Sequence, residues 1–185
     1  MPNVKGSAIT ARWAWVRETQ GEPGLKRLRG ELLPSTKAIL EGNVLKSSWY
    51  PFETFVDLTV CIDRLFGRGD LALARELGRY GAEANLKTIY RLFYKLGSVK
   101  WIIERAAAVW RTYYDSGYMV VKHGAGNTVD LVITEFATPH RSHCLSVLGW
   151  AEKSVEMSGG KLLTSEEATC RLRGDAVCTL RLTWE

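Results

Sequence analysis

Apolar residues recur at helical spacing through the first two thirds of the chain and alternate at period two towards its end. Residues 7–18 and 24–33 predict two short amphipathic helices, separated by Gly21-Glu22-Pro23. Pro34-Ser35-Thr36 and Glu41-Gly42-Asn43 read as connectors. Pro51 opens a firmer helix with Phe52, Phe55, Val56, Leu58, Leu65 and Phe66 at its apolar positions, and Gly67 stops it. Helices over 70–84, 87–96 and 98–114 follow, the last closed by Gly117. Residues 118–123 and 128–136 predict a β-hairpin around Gly124-Ala125-Gly126-Asn127. A helix over 140–157 comes next, with Thr138 as N-cap, Pro139 at its first position and Gly159-Gly160 as its stop. Two strands, 161–169 and 178–184, close the chain around a turn at Gly174-Asp175. The expectation is an α+β fold, with a helical N-terminal two thirds packed on a C-terminal antiparallel β-sheet that carries one inserted helix. One domain over 1–185 is expected, with 1–48 as a helical N-terminal extension and 49–185 as the core.

Composition keeps this picture and narrows the function. At 46% hydrophobic and 24% charged residues the chain is ordinary globular protein. No apolar run is long enough to span a bilayer. The first residues, Met1-Pro2-Asn3-Val4-Lys5, lack the apolar stretch of a signal peptide, so a cytoplasmic location without membrane association is expected. The net charge of +5 gathers towards the N-terminus, where Lys26-Arg27-Leu28-Arg29 is one basic run. A solvated helix face accounts for such a run, and nucleic-acid binding is not expected. Three histidines, at 123, 140 and 143, build no Ser-His-Asp or Cys-His set, and no carboxylate pair stands apart. No enzyme is expected.

The cysteines change the picture. Cys170 and Cys178 flank the closing turn, Glu167 precedes Cys170 by three residues, and Cys144 sits early in the inserted helix. Three thiolates and a carboxylate suit a closed four-coordinate zinc site. Buried free thiols and a Cys170–Cys178 disulfide are the other readings of the same residues, and the spacing alone leaves all three open. Cys61, mid-helix between Val60 and Ile62, reads as an inert buried thiol.

The segment Glu167-Ala-Thr-Cys-Arg-Leu-Arg-Gly-Asp-Ala-Val-Cys178 resembles the C-terminal signature of the V4R (4-vinyl reductase) domain family. The stretches Val4–Ala8, Ser48–Phe52, Gly67–Gly78 and Tyr113–Gly117 resemble an uncharacterised myxobacterial and deltaproteobacterial family related to it. The resemblance implies a structural zinc held by Cys144, Glu167, Cys170 and Cys178. It also implies a small hydrophobic or aromatic ligand enclosed between helices and sheet. Aromatic residues crowd this region, and Tyr90, Tyr94, Trp110, Tyr114 and His123 are the candidate pocket, although aromatic stripes at helical spacing also serve as plain core. Heme-binding nitric-oxide sensors are similar in overall fold. They pair a proximal His with Tyr-x-Ser-x-Arg, whereas here Tyr114-Asp115-Ser116-Gly117-Tyr118 lacks the Arg and no His precedes it, so no heme is expected. The functional expectation is a cytoplasmic small-molecule-binding or sensory domain, a homodimer that signals to a partner protein. A protein-interaction scaffold with a filled core, and a tetrapyrrole-related enzyme, are the alternatives.

Overall fold

The computed structural model describes residues 1–89 and 99–185. Helix α1 (Gly6–Glu31) is one run with a break inside it, where Gly21 adopts φ 65° and ψ −168°, a conformation open to glycine and costly for other residues. Pro23, which lacks an N–H to donate, follows directly. The two helices expected around Gly21-Glu22-Pro23 are therefore the arms of one kinked element. Helix α2 (Pro34–Glu41) starts on its proline. Helix α3 (Phe52–Phe66) buries Phe52, Phe55, Leu58 and Ile62, the i, i+3, i+4 face its sequence announces.

Helix α4 (Ala72–Ile89) is seeded by Asp63 of α3. That carboxylate is fully buried and accepts the backbone N–H groups of Leu71 at 2.9 Å and Leu73 at 3.0 Å. Residues 87–89 belong to α4; the remainder of the helix expected over 87–96 lies outside the described residues. The helix expected over 98–114 is two pieces, α5 (Val99–Ile103) and α6 (Ala106–Tyr113).

The sheet has strand order β3-β4-β6-β5, antiparallel throughout, with β3 (Tyr118–His123), β4 (Thr128–Thr134), β5 (Leu162–Thr169) and β6 (Cys178–Trp184). Strand β4 ends two residues short of expectation because Glu135 turns to φ 54°, outside extended geometry. The central strands β4 and β6 bury Val129, Leu131, Ile133, Leu180 and Leu182. A second ribbon, β1 (Asn3–Lys5) paired with β2 (Trp49–Pro51), carries no expectation in the sequence pattern, since three residues are too few to display a period.

Helix α7 (Arg141–Met157) is the inserted helix, and it lies against both α4 and the sheet. Its cap is His140, whose Nδ1 accepts the N–H of Ser142 at 3.2 Å, not the expected Thr138. Two glycines bring α4 and α7 together. A Cβ on Gly78 would stand 1.9 Å from the Ser146 carbonyl oxygen, and one on Gly149 would stand 1.9 Å from that of Arg75. Buried Glu152 of α7 closes the seam with ion pairs to Arg75 and Arg79 of α4. One contiguous apolar cluster runs from Val4 to Trp184 and joins helices to sheet. Among the described residues, no helix is long and apolar enough to cross a membrane.

Candidate functional site

Two arrangements carry chemistry: a thiol cluster at the foot of α7 and a cavity higher in the same interface. Cys144 lies at the end of the first turn of α7, Cys170 just past β5, and Cys178 at the start of β6. A 3₁₀ turn, Arg171–Arg173, ends on Gly174 at φ 95° and folds the loop back, so that three Sγ atoms lie within 4.8 Å of one another. All three thiols are buried, and no disulfide joins them. The Glu167 carboxylate is not part of this three-sulfur group; it neighbours Cys170, with a side chain only 6% exposed. Its Oε2 accepts from Arg173 at 2.8 Å, and its Oε1 is buried without a partner. Glu166, opposite Arg181 across the β5–β6 ladder, is exposed.

The thiols share their protons unequally. Donation from the Cys144 thiol pulls Cys178 down to about 6, helped by the Arg171 N–H at 3.4 Å. The same hydrogen bond, together with burial, pushes Cys144 up. Burial raises Cys170 as well. Three buried sulfurs within 4.8 Å of one another, with a buried carboxylate at their edge, are a donor set that fits a soft divalent cation. His143 does not join it. Its ring packs against Phe52, Tyr114 and Phe136 at centroid distances of 4.7–5.1 Å, and burial lowers it to about 3, so it stays neutral. Its Nε2 has no hydrogen-bond partner. Cys61 is buried and pushed up to about 11 by that burial, as an inert thiol should be.

The cavity has a volume of about 60 Å³ and lies between α1, α3, α4, α6, α7 and the sheet. Phe55, Leu77, Trp110, Tyr114, Met119 and Trp150 give it apolar walls. Of the expected pocket residues, Trp110 and Tyr114 line it, their rings 4.5 Å apart. Tyr90 and Tyr94 lie outside the described residues. His123 is a correction: it ends β3 at the turn end of the hairpin, 44% exposed, with its Nε2 3.7 Å from Glu104. A place at the strand's tip carries it away from the interior.

Arg12 and Ser146 also line the cavity, and the sequence reading passed over both. Arg12 is 3% exposed. Its Nε donates to Thr59 Oγ1 at 2.6 Å, its Nη1 to the Ala8 carbonyl at 3.0 Å and its Nη2 to Ser146 Oγ at 2.7 Å, while the guanidinium lies over the Phe55 ring. Burial lowers it to about 10, so it remains a cation at neutral pH. A single Arg in a helix carries no signal in sequence; only the fold reveals that its neighbours are neutral. Among the described residues the contact of a histidine with a hydroxyl, His140 Nδ1 to Ser142 Oγ at 2.8 Å, belongs to the cap of α7.

No known family model matches the chain, and no curated protein matches it. Solved structures do. An H-NOX protein from S. oneidensis in the Fe(II)NO ligation state aligns over 98% of this chain and 99% of its own, at 12% identity and a TM-score of 0.77. The Fe(II) unliganded H-NOX protein from K. algicida gives 98%, 96%, 12% and 0.73. An oxygen-binding H-NOX domain related to soluble guanylate cyclases gives 98%, 95%, 11% and 0.66. At such identities the likeness establishes the α+β fold, with its helical N-terminal region and antiparallel sheet, and nothing finer.

Two expectations are corrected by this finding. The V4R assignment rested largely on a Glu-Cys-Cys spacing, and a hairpin that closes a cluster can carry that spacing in more than one fold; across the whole chain the neighbours are H-NOX domains. The cofactor expectation, zinc and no heme, is overturned with it, because the neighbours are iron-ligating and one is described through its heme. A missing Tyr-x-Ser-x-Arg motif is a statement about a few positions, whereas the match spans nearly the entire backbone. The residues present can still be tested against a porphyrin. The cavity of about 60 Å³ is well below the ~300 Å³ of small-molecule pockets, and none of the three histidines lines it. In this arrangement the cavity walls do not fit the group.

Proposed function

We propose that the chain is a small-molecule-sensing domain on an H-NOX-like fold, with its ligand in the cavity beneath Arg12. The observation that carries this reading is the cavity itself, apolar over most of its wall and set where helices meet sheet. Solved neighbours of the same fold, described as NO-ligated and oxygen-binding, support it. A volume of about 60 Å³ is well below the ~150 Å³ of a cavity that admits benzene, so the guest is a molecule of a few heavy atoms.

The domain itself is proposed to be non-catalytic and cytoplasmic, passing its state to a partner protein as a homodimer. Tyr118 and Val120 on edge strand β3, and Leu163 on edge strand β5, expose apolar side chains that such contacts would cover. Cys144, Glu167, Cys170 and Cys178 are proposed to act together as ligands for a soft cation that ties α7 to the β5–β6 turn.

The test is NMR on natively purified protein under xenon. Saturable shifts of the Met119 methyl and of the Trp110 and Trp150 indole resonances are expected, with distant methyls unmoved. Absence of any shift overturns the reading. A Soret band in the same sample would replace the small guest with heme.

A further inference from the structure

We infer that the guest of this cavity carries a carboxylate: the site is built to hold a small organic acid, which Arg12 recognises. The inference rests on the sensing reading above and names the chemistry of its ligand. A guanidinium offers five N–H donors, and three are used, on two hydroxyls and one carbonyl, all of them neutral. No carboxylate neutralises it. The segment 85–98 contains no Asp or Glu, so every acid of the chain lies among the described residues, and none of them reaches Arg12 within ion-pair distance. A buried charge without a counter-charge is costly, and structures keep one where something else supplies the opposite sign.

The polar groups around the cavity agree in kind. Ser146 Oγ accepts from Arg12 and keeps its own proton to give. Trp150, another wall residue, has a buried Nε1–H without a partner. A cation with spare donors, a hydroxyl proton and an orphaned indole N–H all seek an acceptor. A planar carboxylate matches the guanidinium fork and presents two oxygens to these donors. The volume of about 60 Å³ limits the acid to formate, acetate or a similarly short chain, its apolar end against Met119 and Leu131.

The experiment is a titration of the full chain with sodium acetate in chloride-free buffer, followed by the Trp150 indole and Arg12 Nε–H resonances. Acetamide and ethanol serve as neutral isosteres, and xenon as the apolar probe. Saturable acetate shifts are expected, with acetamide and ethanol at least tenfold weaker. Arg12→Met should lose acetate at least tenfold while still admitting xenon; if Arg12→Met does not fold, Arg12→Lys keeps the charge, breaks the fork and should still weaken acetate. Xenon binding without acetate binding overturns the carboxylate and leaves the cavity reading standing. Failure of both probes removes both. Equal binding of acetate and acetamide, or acetate binding unchanged in the Arg12 variant, also overturns the inference.

Discussion

Replacing Gly149 with Ala is the sharpest test of how the interior is held. The added Cβ would stand 1.9 Å from the Arg75 carbonyl oxygen and 2.8 Å from its carbon, both backbone atoms of α4. Neither can rotate away, so α4 and α7 must part by about 1.5 Å to restore ordinary contact. Overpacking of this kind costs about 1–3 kcal/mol, and the backbone partner puts this site at the upper end. Ala gains back up to about 1 kcal/mol in helix propensity. A net loss of about 2 kcal/mol remains, which in a chain of this size lowers the melting temperature by about 4–8 °C. Gly30→Ala is the control: a Cβ there meets nothing within 4 Å, so the same chemical change should leave stability equal or raise it by about 0.5 kcal/mol. Differential scanning calorimetry of the pair reads the result. If Gly149→Ala melts with or above the wild type, the helices do not meet at this glycine and the packing argument fails. The parted helices carry Leu77, Ser146 and Trp150, so weaker xenon binding should accompany the lost stability.

Other perturbations probe separate parts of the account. Asp63→Ala removes the acceptor for the Leu71 and Leu73 N–H groups and should lower stability by about 2 kcal/mol in urea titration; a change below about 0.5 kcal/mol would mean α4 starts without it. His143→Phe keeps a ring among Phe52, Tyr114 and Phe136 and deletes the orphaned Nε2, so it should raise stability by about 1 kcal/mol, whereas a loss would show that Nε2 has a partner in solution. Cys178→Ser takes a donor from the thiol cluster and should lower both the melting temperature and the metal content found by elemental mass spectrometry, the two changing together; unchanged values would reduce the cluster to packing.

The fold was largely legible because its signals are local. The 3.6-residue period of α3, the Gly21–Pro23 break in α1 and the alternation of Cys178–Trp184 each lie within one element, and each formed where its pattern stands. Boundaries moved where a single residue's backbone intervened, as Glu135 does at the end of β4. The meeting of Cys144, Cys170 and Cys178 was readable because two of them bracket one turn and the third opens the adjacent helix. The cavity's polar side was not. Arg12 and Ser146 are 134 positions apart, and their union with Thr59 and Trp150 exists only once α1, α3 and α7 are packed. His123 was misplaced for the converse reason, because an aromatic residue next to an aromatic cluster in sequence can still sit at the far end of a strand. The family assignment failed at a different level. Four well-spaced residues identify a local device, whereas the backbone around it is similar in fold to solved H-NOX structures.

The most direct test of the central claim is diffraction from a xenon-pressurised crystal, read in anomalous difference maps. The account predicts a single strong peak inside the cavity, in contact with Trp110, Met119 and Val147 and below the Arg12 guanidinium. A crystal with no peak there, or with xenon bound only elsewhere, would mean that the helix–sheet interface is a filled core and that this domain senses nothing within it.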